Sequence, residues 1–185
     1  LKDVLETVRF YNDYEEMLDK EDLDGVMIGT RCSLHARIAK SVINRGIPMF
    51  LEKPIATTWA DFQMLRDVYK KLNGKTVVSF PLRLTRLVRQ AKDIIDSGET
   101  GRIEHVSAFN YVTYGGVYFH GWYRDFEETQ GLFLQKATHD FDYINFLLGF
   151  RPIQIFAMQS QQIYKGEKPY DLRCKNCEEY RICQE

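Results

Sequence analysis

Short apolar runs alternate with amphipathic stretches over the first eighty residues. The apolar runs cover residues 25–29, 47–51 and 75–80. Each has the length and composition of a strand buried in a parallel sheet. Between them, residues 33–45 and 58–72 repeat apolar positions at helical spacing, with Ser33 as the predicted cap of the first helix. Alternation at this pace indicates βαβ units, so the sequence predicts the later part of a doubly wound α/β sheet.

The pattern changes near residue 81. Residues 85–97 predict another helix, whereas residues 103–113 and 152–163 interleave polar and apolar positions, as expected for strands with one covered face. Residues 131–148 predict a single helix that ends at Gly149. We therefore expect two domains, 1–81 and 82–185, the second of the α+β class.

Composition and charge exclude some classes of function. Lys and Arg number 25 against 26 Asp and Glu, and the net charge is −1. Since there is neither a basic excess nor a basic stripe, we expect no nucleic-acid partner. No apolar run approaches the roughly 20 residues of a membrane span. The first residues, Leu1-Lys-Asp-Val-Leu-Glu, do not resemble a secretory signal, so we expect a cytoplasmic protein with reduced thiols.

The segment Glu52-Lys53-Pro54 directly follows the second predicted strand. Strand ends commonly carry solvated charges, and Pro54 would simply stop the ladder. Alternatively, Lys53 lies at the carboxyl edge of the sheet, where open α/β sheets bind ligands. A lysine there can stabilise an alkoxide that develops on a substrate oxygen. Both interpretations fit the residues.

Helical spacing places Gln135, His139 and Asp142 on one face of the predicted helix 131–148. A histidine on a helix is commonly a structural residue, and Asp142 could pair with an arginine such as Arg124. The same triplet also suits a proton-transfer site, in which His139 accepts a hydroxyl proton. The residues alone leave both interpretations open.

A set of short motifs runs along the chain in a constant order. It comprises Gly29-Thr30, Leu34-His35, Leu51-Glu-Lys-Pro-Ile-Ala-Thr-Thr58, Arg83, Gly98-Glu-Thr-Gly101, Tyr118-Phe119, Trp122, Arg124, Thr138-His139-Asp140, Asp142 and Leu148-Gly149. Together these motifs resemble the Gfo/Idh/MocA family, the relatives of glucose–fructose oxidoreductase and inositol dehydrogenase. The resemblance spans nearly the whole chain, and the order and spacing of the motifs make it specific.

The resemblance implies a Rossmann domain that binds NAD or NADP. A substrate domain with an open, mostly antiparallel sheet would follow it, and this sheet often forms the oligomer interface in the family, so a homo-oligomer is expected. Lys53 and His139 would be the catalytic residues. The implied cofactor contacts are Thr30, His35, Glu52 and Lys53. The implied substrate contacts are Trp122, Arg124, Gln135 and Asp142.

Three features depart from the family pattern. Many active members carry an aspartate four residues before the histidine, where this chain has Gln135, and an amide cannot accept a proton. Arg31-Cys32 replaces the usual Pro-Asn. The Gly-x-Gly-x-x-Gly loop that cradles the pyrophosphate is absent from the 185 residues. We therefore interpret the chain as truncated at both ends and expect it to bind NAD(P) poorly by itself.

Three cysteines, Cys174, Cys177 and Cys183, cluster near residue 185. Two at C-x-x-C spacing and a third suit tetrahedral zinc, although a fourth ligand is missing. A loop of free thiols is the alternative. One branch of the family carries a similar cysteine-rich segment.

The function predicted from the sequence is hydride transfer between NAD or NADP and a sugar, polyol or related hydroxyl compound. Two alternatives are open. In one, NAD is recycled during cleavage of a glycosidic bond, and Gln135 in place of aspartate favours this altered chemistry. In the other, the protein keeps the fold as a non-catalytic sugar- or nucleotide-binding protein or scaffold.

Overall fold

The computed structural model describes residues 7–112, 116–119, 121–162, 168–169 and 171–183. The chain divides into two compact units, Leu1–Ser79 and Phe80–Glu185. In the first unit the elements are α1 (Tyr14–Lys20), β1 (Val26–Ile28), α2 (His35–Asn44), β2 (Met49–Leu51), α3 (Trp59–Leu72) and β3 (Thr76–Val78). The described part of the second unit contains α4 (Arg86–Asp96), α5 (Gly116–Phe119), α6 (Phe126–Thr129), α7 (Leu132–Gln135) and α8 (Thr138–Leu148).

The three strands form a parallel sheet in the order β1-β2-β3, which confirms the predicted doubly wound arrangement. The register aligns Ile28, Leu51 and Val78, the last residue of each strand. The segments that follow the strands therefore leave the sheet at one carboxyl edge. Parallel strands of this kind require crossover helices, and α2 and α3 provide them.

The apolar residues predicted in α2 and the strands form the core of the first unit. Its buried members are Leu18, Ile28, Ala36, Ile38, Ala39, Val42, Ile43, Met49, Leu51, Ala56 and Leu65. Five of these eleven residues come from α2, one of whose faces is almost completely removed from water. Burial of this face stabilises the unit by about 25 cal/mol per Å² of apolar surface removed from water.

The predicted ends of α3 are confirmed. The hydroxyl of Thr58 accepts a hydrogen bond from the backbone N–H of Asp61, so it caps the first turn. At the other end Asn73 adopts the left-handed conformation with φ 48°, and its N–H donates to the carbonyl of Tyr69. The short asparagine tolerates this conformation better than most residues.

The beginning of α2 differs from the prediction. The helix starts at His35 rather than after Ser33, because residues Cys32–Leu34 form a 3₁₀ turn first. No side chain caps this start. The tighter turn buries Cys32, and it places His35 at the junction between the sheet edge and the helix. This junction is part of the candidate site.

In the second unit, α4 packs against α8. The strands predicted over 103–113 and 152–163 are not formed in their described parts, and Thr113 and Ile163 lie outside the described residues. The described parts expose Phe109, Tyr111, Ile153, Phe156 and Met158. Alternation gives a segment one apolar face, but a strand also needs a hydrogen-bonded neighbour, which these segments lack in the described part.

The long helix predicted over 131–148 is interrupted. It consists of α7 and α8, separated by Lys136 and Ala137. Before α7, Gln130 and Gly131 both have positive φ, 54° and 82°. Helical periodicity continues through the interruption, so the pattern of apolar positions does not reveal it. Among the described residues, no helix is long and apolar enough to cross a lipid bilayer.

Candidate active site

The carboxyl edge of the sheet carries three of the predicted cofactor-binding residues. Thr30 follows β1, whereas Glu52 and Lys53 follow β2. The N–H of Glu52 donates to the carbonyl of Ile28 at 3.0 Å and so extends the pairing of the two strands by one bond. Thr30 is exposed, and Glu52 and Lys53 are half-buried. The structure thus brings these side chains to the edge where open α/β sheets bind ligands.

His35 lies beneath this edge rather than on it. Its ring is 1% exposed. Nδ1 lies 2.7 Å from the carbonyl oxygen of Pro54, and Nε2 lies 3.0 Å from that of Thr30. Both nitrogens therefore face backbone acceptors of this chain. The predicted direct contact between His35 and a cofactor does not fit this geometry, because the ring has neither exposed surface nor a nitrogen directed outward.

In the second unit, His139 is the second residue of α8 and is half-buried. The ring of Phe80 meets the imidazole edge to face, with centroids 6.0 Å apart and an interplanar angle of 87°. The neighbouring Asp140 accepts hydrogen bonds from the side-chain amide of Asn110, at 2.9 and 2.8 Å. These contacts fix the first turn of α8, the turn that carries the predicted catalytic histidine.

Gln135 does not share a helix with His139 and Asp142. It is the last residue of α7 and is 5% exposed. Lys136 and Ala137 both donate their N–H groups to the carbonyl of Leu132, and this bifurcated turn ends α7 before α8 begins. The single-face arrangement predicted from helical spacing is therefore wrong for Gln135, because the helix is broken between it and His139.

Asp142 is bound by an arginine that the sequence did not connect with it. Arg83 donates from Nε to Oδ2 at 2.7 Å and from Nη2 to Oδ1. The carboxylate side chain is 8% exposed. The hydrogen bond to Asp142 raises the pKa of Arg83 above its ordinary value. Arg83, not Arg124, is thus the partner of Asp142, and both carboxylate oxygens face the guanidinium rather than open space.

Aromatic rings hold the guanidinium of Arg83 in place. Its central carbon lies 5.3 Å from the ring centroid of Phe146 and 5.9 Å from that of Phe80. Phe80 also contacts His139, so one ring connects the ion pair to the histidine. A guanidinium stacked on two rings and bonded twice to a carboxylate has little rotational freedom. This cluster contacts His139 through the ring of Phe80.

Trp122 and Arg124 both lie in the 3₁₀ turn Gly121–Arg124. Nη2 of Arg124 donates to the carbonyl oxygens of Lys168 and Pro169, at 2.9 and 2.7 Å. The rings of Trp122 and Tyr123 lie 4.1 Å apart. Arg124 therefore holds the backbone at 168–169 through one guanidinium nitrogen, and its contact with a substrate stays a prediction. Trp122 is half-buried, which leaves part of the indole accessible.

The predicted zinc site is not supported. Cys174 and Cys183 are exposed free thiols, and Cys177 accepts a hydrogen bond from Nζ of Lys168 at 3.5 Å. Within the described ranges, no group of three or more His, Cys, Asp or Glu side chains is placed to hold a metal ion. The C-x-x-C spacing alone brings two thiols together, whereas structural zinc needs four ligands.

An apolar cavity of ≈ 460 Å³ lies between α3 and the strands β2 and β3. Its walls include Phe62, Leu65 and Val78. None of the predicted site residues lines it. The predicted site residues therefore lie in two places, at the sheet edge in the first unit and around α8 in the second.

A parallel sheet with polar residues at its carboxyl edge is typical of nucleotide-binding α/β folds, and comparison with known proteins identifies the family. Residues 4–80 match the oxidoreductase family with an NAD-binding Rossmann fold, GFO_IDH_MocA, and residues 88–174 match the GFO/IDH/MocA C-terminal domain. The chain belongs to this family. The fold class and the resemblance found in the sequence are both confirmed.

Named relatives cover most of this chain. The oxidoreductase YteT of Bacillus subtilis is 31% identical over 160 residues, which are 85% of this chain and 37% of YteT. Inositol 2-dehydrogenase of Salmonella paratyphi B is 31% identical over 140 residues, 75% of this chain and 39% of that enzyme. The chain thus spans well under half the length of these relatives.

A solved structure shows the same fold with ligands. It is the WlbA dehydrogenase of Bordetella pertussis in complex with NADH and UDP-GlcNAcA, with a TM-score of 0.68 and 25% sequence identity. The similarity covers 76% of this chain and 41% of that one.

Proposed function

We propose that the whole protein is an NAD(P)-dependent oxidoreductase that acts on a CH–OH group of a polyol or sugar. The observation that carries the proposal is the position of Lys53, half-buried at the carboxyl edge of the parallel sheet in a chain of this family. Relatives named as inositol 2-dehydrogenase support the substrate class. The neighbour bound to NADH supports the cofactor.

The residues at the sheet edge fit the nicotinamide–ribose end of such a cofactor. The backbone at Gly29 and Thr30 is exposed, and a side-chain carbon built on Gly29 would meet no atom within 4 Å. The hydroxyl of Thr30 and the carboxylate of Glu52 suit ribose hydroxyls, which donate and accept hydrogen bonds. When bound, the nicotinamide would accept or donate the hydride. The choice between NAD and NADP stays open.

The roles of the chain's own residues follow from their chemistry. The ammonium of Lys53 donates a hydrogen bond to the substrate oxygen and stabilises negative charge that develops there. The imidazole of His139 accepts the hydroxyl proton during oxidation and returns it during reduction. Gln135 offers an amide that orients a hydroxyl but accepts no proton. Trp122 presents accessible indole surface to a sugar ring.

Turnover of the full-length protein tests the proposal. NADH or NADPH formation at 340 nm would be followed with inositols and simple sugars as substrates. We expect Lys53→Met to lower kcat by roughly 10²–10³-fold, and His139→Ala by roughly 10²–10⁴-fold. Lys40→Met on the exposed side of α2 and His105→Ala are matched controls that should retain activity. Unchanged turnover in both site variants would refute these roles.

A second candidate function is cleavage of a glycosidic bond with recycling of the cofactor. Gln135, in place of the aspartate common in dehydrogenases of the family, favours it. The two reactions differ in the balance of cofactor: a dehydrogenase accumulates NADH in proportion to product, whereas a recycling enzyme releases product with no net NADH. Parallel assays of NADH and released sugar distinguish them.

The oligomeric state and the cellular location of the protein are also proposed from the sequence. We expect a homo-oligomer and a cytoplasmic location, as the sequence predicts. Light scattering coupled to gel filtration measures the assembly directly, and a monomer over the working concentration range would contradict the first expectation.

A further inference from the structure

One side chain connects the two loops at the carboxyl edge of the sheet. β1 and β2 are joined by ladder hydrogen bonds up to the bond from Glu52 to Ile28. Beyond this bond the chain continues as two loops: the loop after β1 passes through Thr30, and the loop after β2 passes through Lys53 and Pro54. His35 lies between them, with one ring nitrogen on each loop's carbonyl group, at 3.0 and 2.7 Å.

The contacts of His35 are shielded from water. The ring is 1% exposed, and Pro54 is buried as well. A buried carbonyl that loses its donor costs free energy comparable to a lost hydrogen bond. The ring is anchored by the first turn of α2, whose next residues, Ala36, Ile38 and Ala39, are in the core. The imidazole is therefore a rigid bridge attached to the core rather than a mobile surface group.

We propose that His35 is a positioning residue that holds the Thr30 loop and the Lys53–Pro54 loop at a fixed separation. This inference rests on the proposed function for its effect on catalysis. The carbonyl that His35 binds belongs to Pro54, the residue directly after Lys53, so the bridge restrains the backbone from which the ammonium extends. The second carbonyl belongs to Thr30, on the exposed cofactor side of the edge. His35 thus acts on the site without touching a ligand.

A neutral imidazole donates to one of these carbonyl groups at a time, whereas an imidazolium donates to both. The two contacts can be separated by substitution. The amide nitrogen of asparagine takes the place of Nδ1 and keeps the bond to Pro54, whereas that of glutamine takes the place of Nε2 and keeps the bond to Thr30. Alanine removes both. Val42→Ala is the matched control, since Val42 is fully buried in the same helix about two turns after His35.

Kinetics of the full-length protein give the first readout. We expect His35→Gln to lower kcat by about tenfold or more with a smaller change in the Kd of NADH, because the Lys53 backbone is released. His35→Asn should weaken NADH binding more than it lowers kcat, and His35→Ala should do both. Val42→Ala should lower Tm and leave kcat and Kd unchanged. Equal effects of the Asn and Gln substitutions, or wild-type kinetics in His35→Ala, would overturn the proposal.

Hydrogen exchange tests the bridge without turnover. Peptides covering residues 29–34 and 52–57 should exchange about tenfold faster in His35→Ala, while a peptide within 60–72 should not change. Val42→Ala should not show this selective effect. If the wild-type protein oxidises no polyol or sugar, the proposed function fails, yet selective exchange still supports the bridge. Uniform exchange in His35→Ala refutes the bridge whatever the activity.

Discussion

Arg83 and Asp142 form a two-bond ion pair across 59 positions of the sequence. Arg83 lies in the 3₁₀ turn Pro81–Leu84, and Asp142 lies one turn after His139 in α8. The pair therefore fastens the beginning of the second unit to the helix that carries the predicted catalytic histidine. The carboxylate of Asp142 is nearly buried, so the pair differs from an ordinary surface ion pair, which water screens.

Removal of one member of this pair should destabilise the protein. We expect Asp142→Ala to lower the free energy of unfolding by about 1–3 kcal/mol, because the guanidinium loses its charged acceptors. The double variant Arg83→Met/Asp142→Leu should cost less than the sum of the single changes. Denaturant unfolding measures both. Asp96→Asn breaks the exposed pair with Lys92 and should cost less than about 0.5 kcal/mol. Equal losses of unfolding free energy in Asp142→Ala and Asp96→Asn would contradict the stronger stabilisation expected from the Arg83–Asp142 pair.

The carboxylate of Glu15 should stabilise the protein at pH values above the ordinary pKa of a glutamate, and this stabilisation should be lost in acid. The hydrogen bond from Ser41 is the main cause that lowers the pKa of Glu15 from 4.5, and Arg45 adds to it, while burial opposes both. A lowered carboxyl pKa contributes stability at higher pH, and this contribution is lost as pH falls through the folded-state value. Glu15→Gln should therefore flatten the decrease of Tm between roughly pH 5 and pH 3. Exposed Glu99→Gln should leave that slope unchanged.

Asn73 should be replaceable by glycine but not by alanine. Its φ of 48° lies in the left-handed region, which costs a residue with a Cβ about 1–2 kcal/mol. Asn73→Ala should therefore lower the free energy of unfolding by about 1 kcal/mol, and Asn73→Gly should be near neutral. Thermal and urea unfolding report the change. Asn44→Ala, at the last helical residue of α2, is the control and should not destabilise.

A carboxylate in place of Gln135 should be costly at neutral pH. The position is 5% exposed, so burial favours the neutral form of an introduced aspartic acid and raises its pKa in the folded state. A raised carboxyl pKa means that stability falls as pH rises. Gln135→Asp should therefore lose more Tm at pH 7 than at about pH 5. Exposed Gln90→Asp should show no such pH difference. A loss independent of pH would argue against burial of the charge.

The sequence predicts the first unit well because its signals are local. Apolar runs of five or six residues identify the three strands, and Thr58 and Asn73 mark the ends of α3. These signals involve residues within a few positions of one another. Tertiary structure modifies them only at the start of α2, where a 3₁₀ turn comes before the helix.

The contacts among the candidate site residues were harder to predict from the sequence, because they join residues that are far apart along the chain. Helical spacing continues through the break at Lys136 and Ala137, so Gln135 was assigned to the wrong helix. The pairing of Arg83 with Asp142 depends on how α4 and α8 pack, and no local pattern encodes it. The family resemblance implied that His35 contacts a cofactor. The ring turns inward to two carbonyl groups, which no local pattern encodes.

The consecutive positive φ angles at Gln130 and Gly131 bear on mutational tolerance. At φ 82° and ψ 175°, position 131 is in a region that essentially only glycine adopts, whereas φ 54° and ψ 28° at position 130 also suit asparagine and aspartate. A saturation library selected for folded protein should therefore return almost pure glycine at 131 and a small polar set at 130. The sets of amino acids tolerated at these two adjacent positions between α6 and α7 would then differ sharply, because their backbone conformations differ.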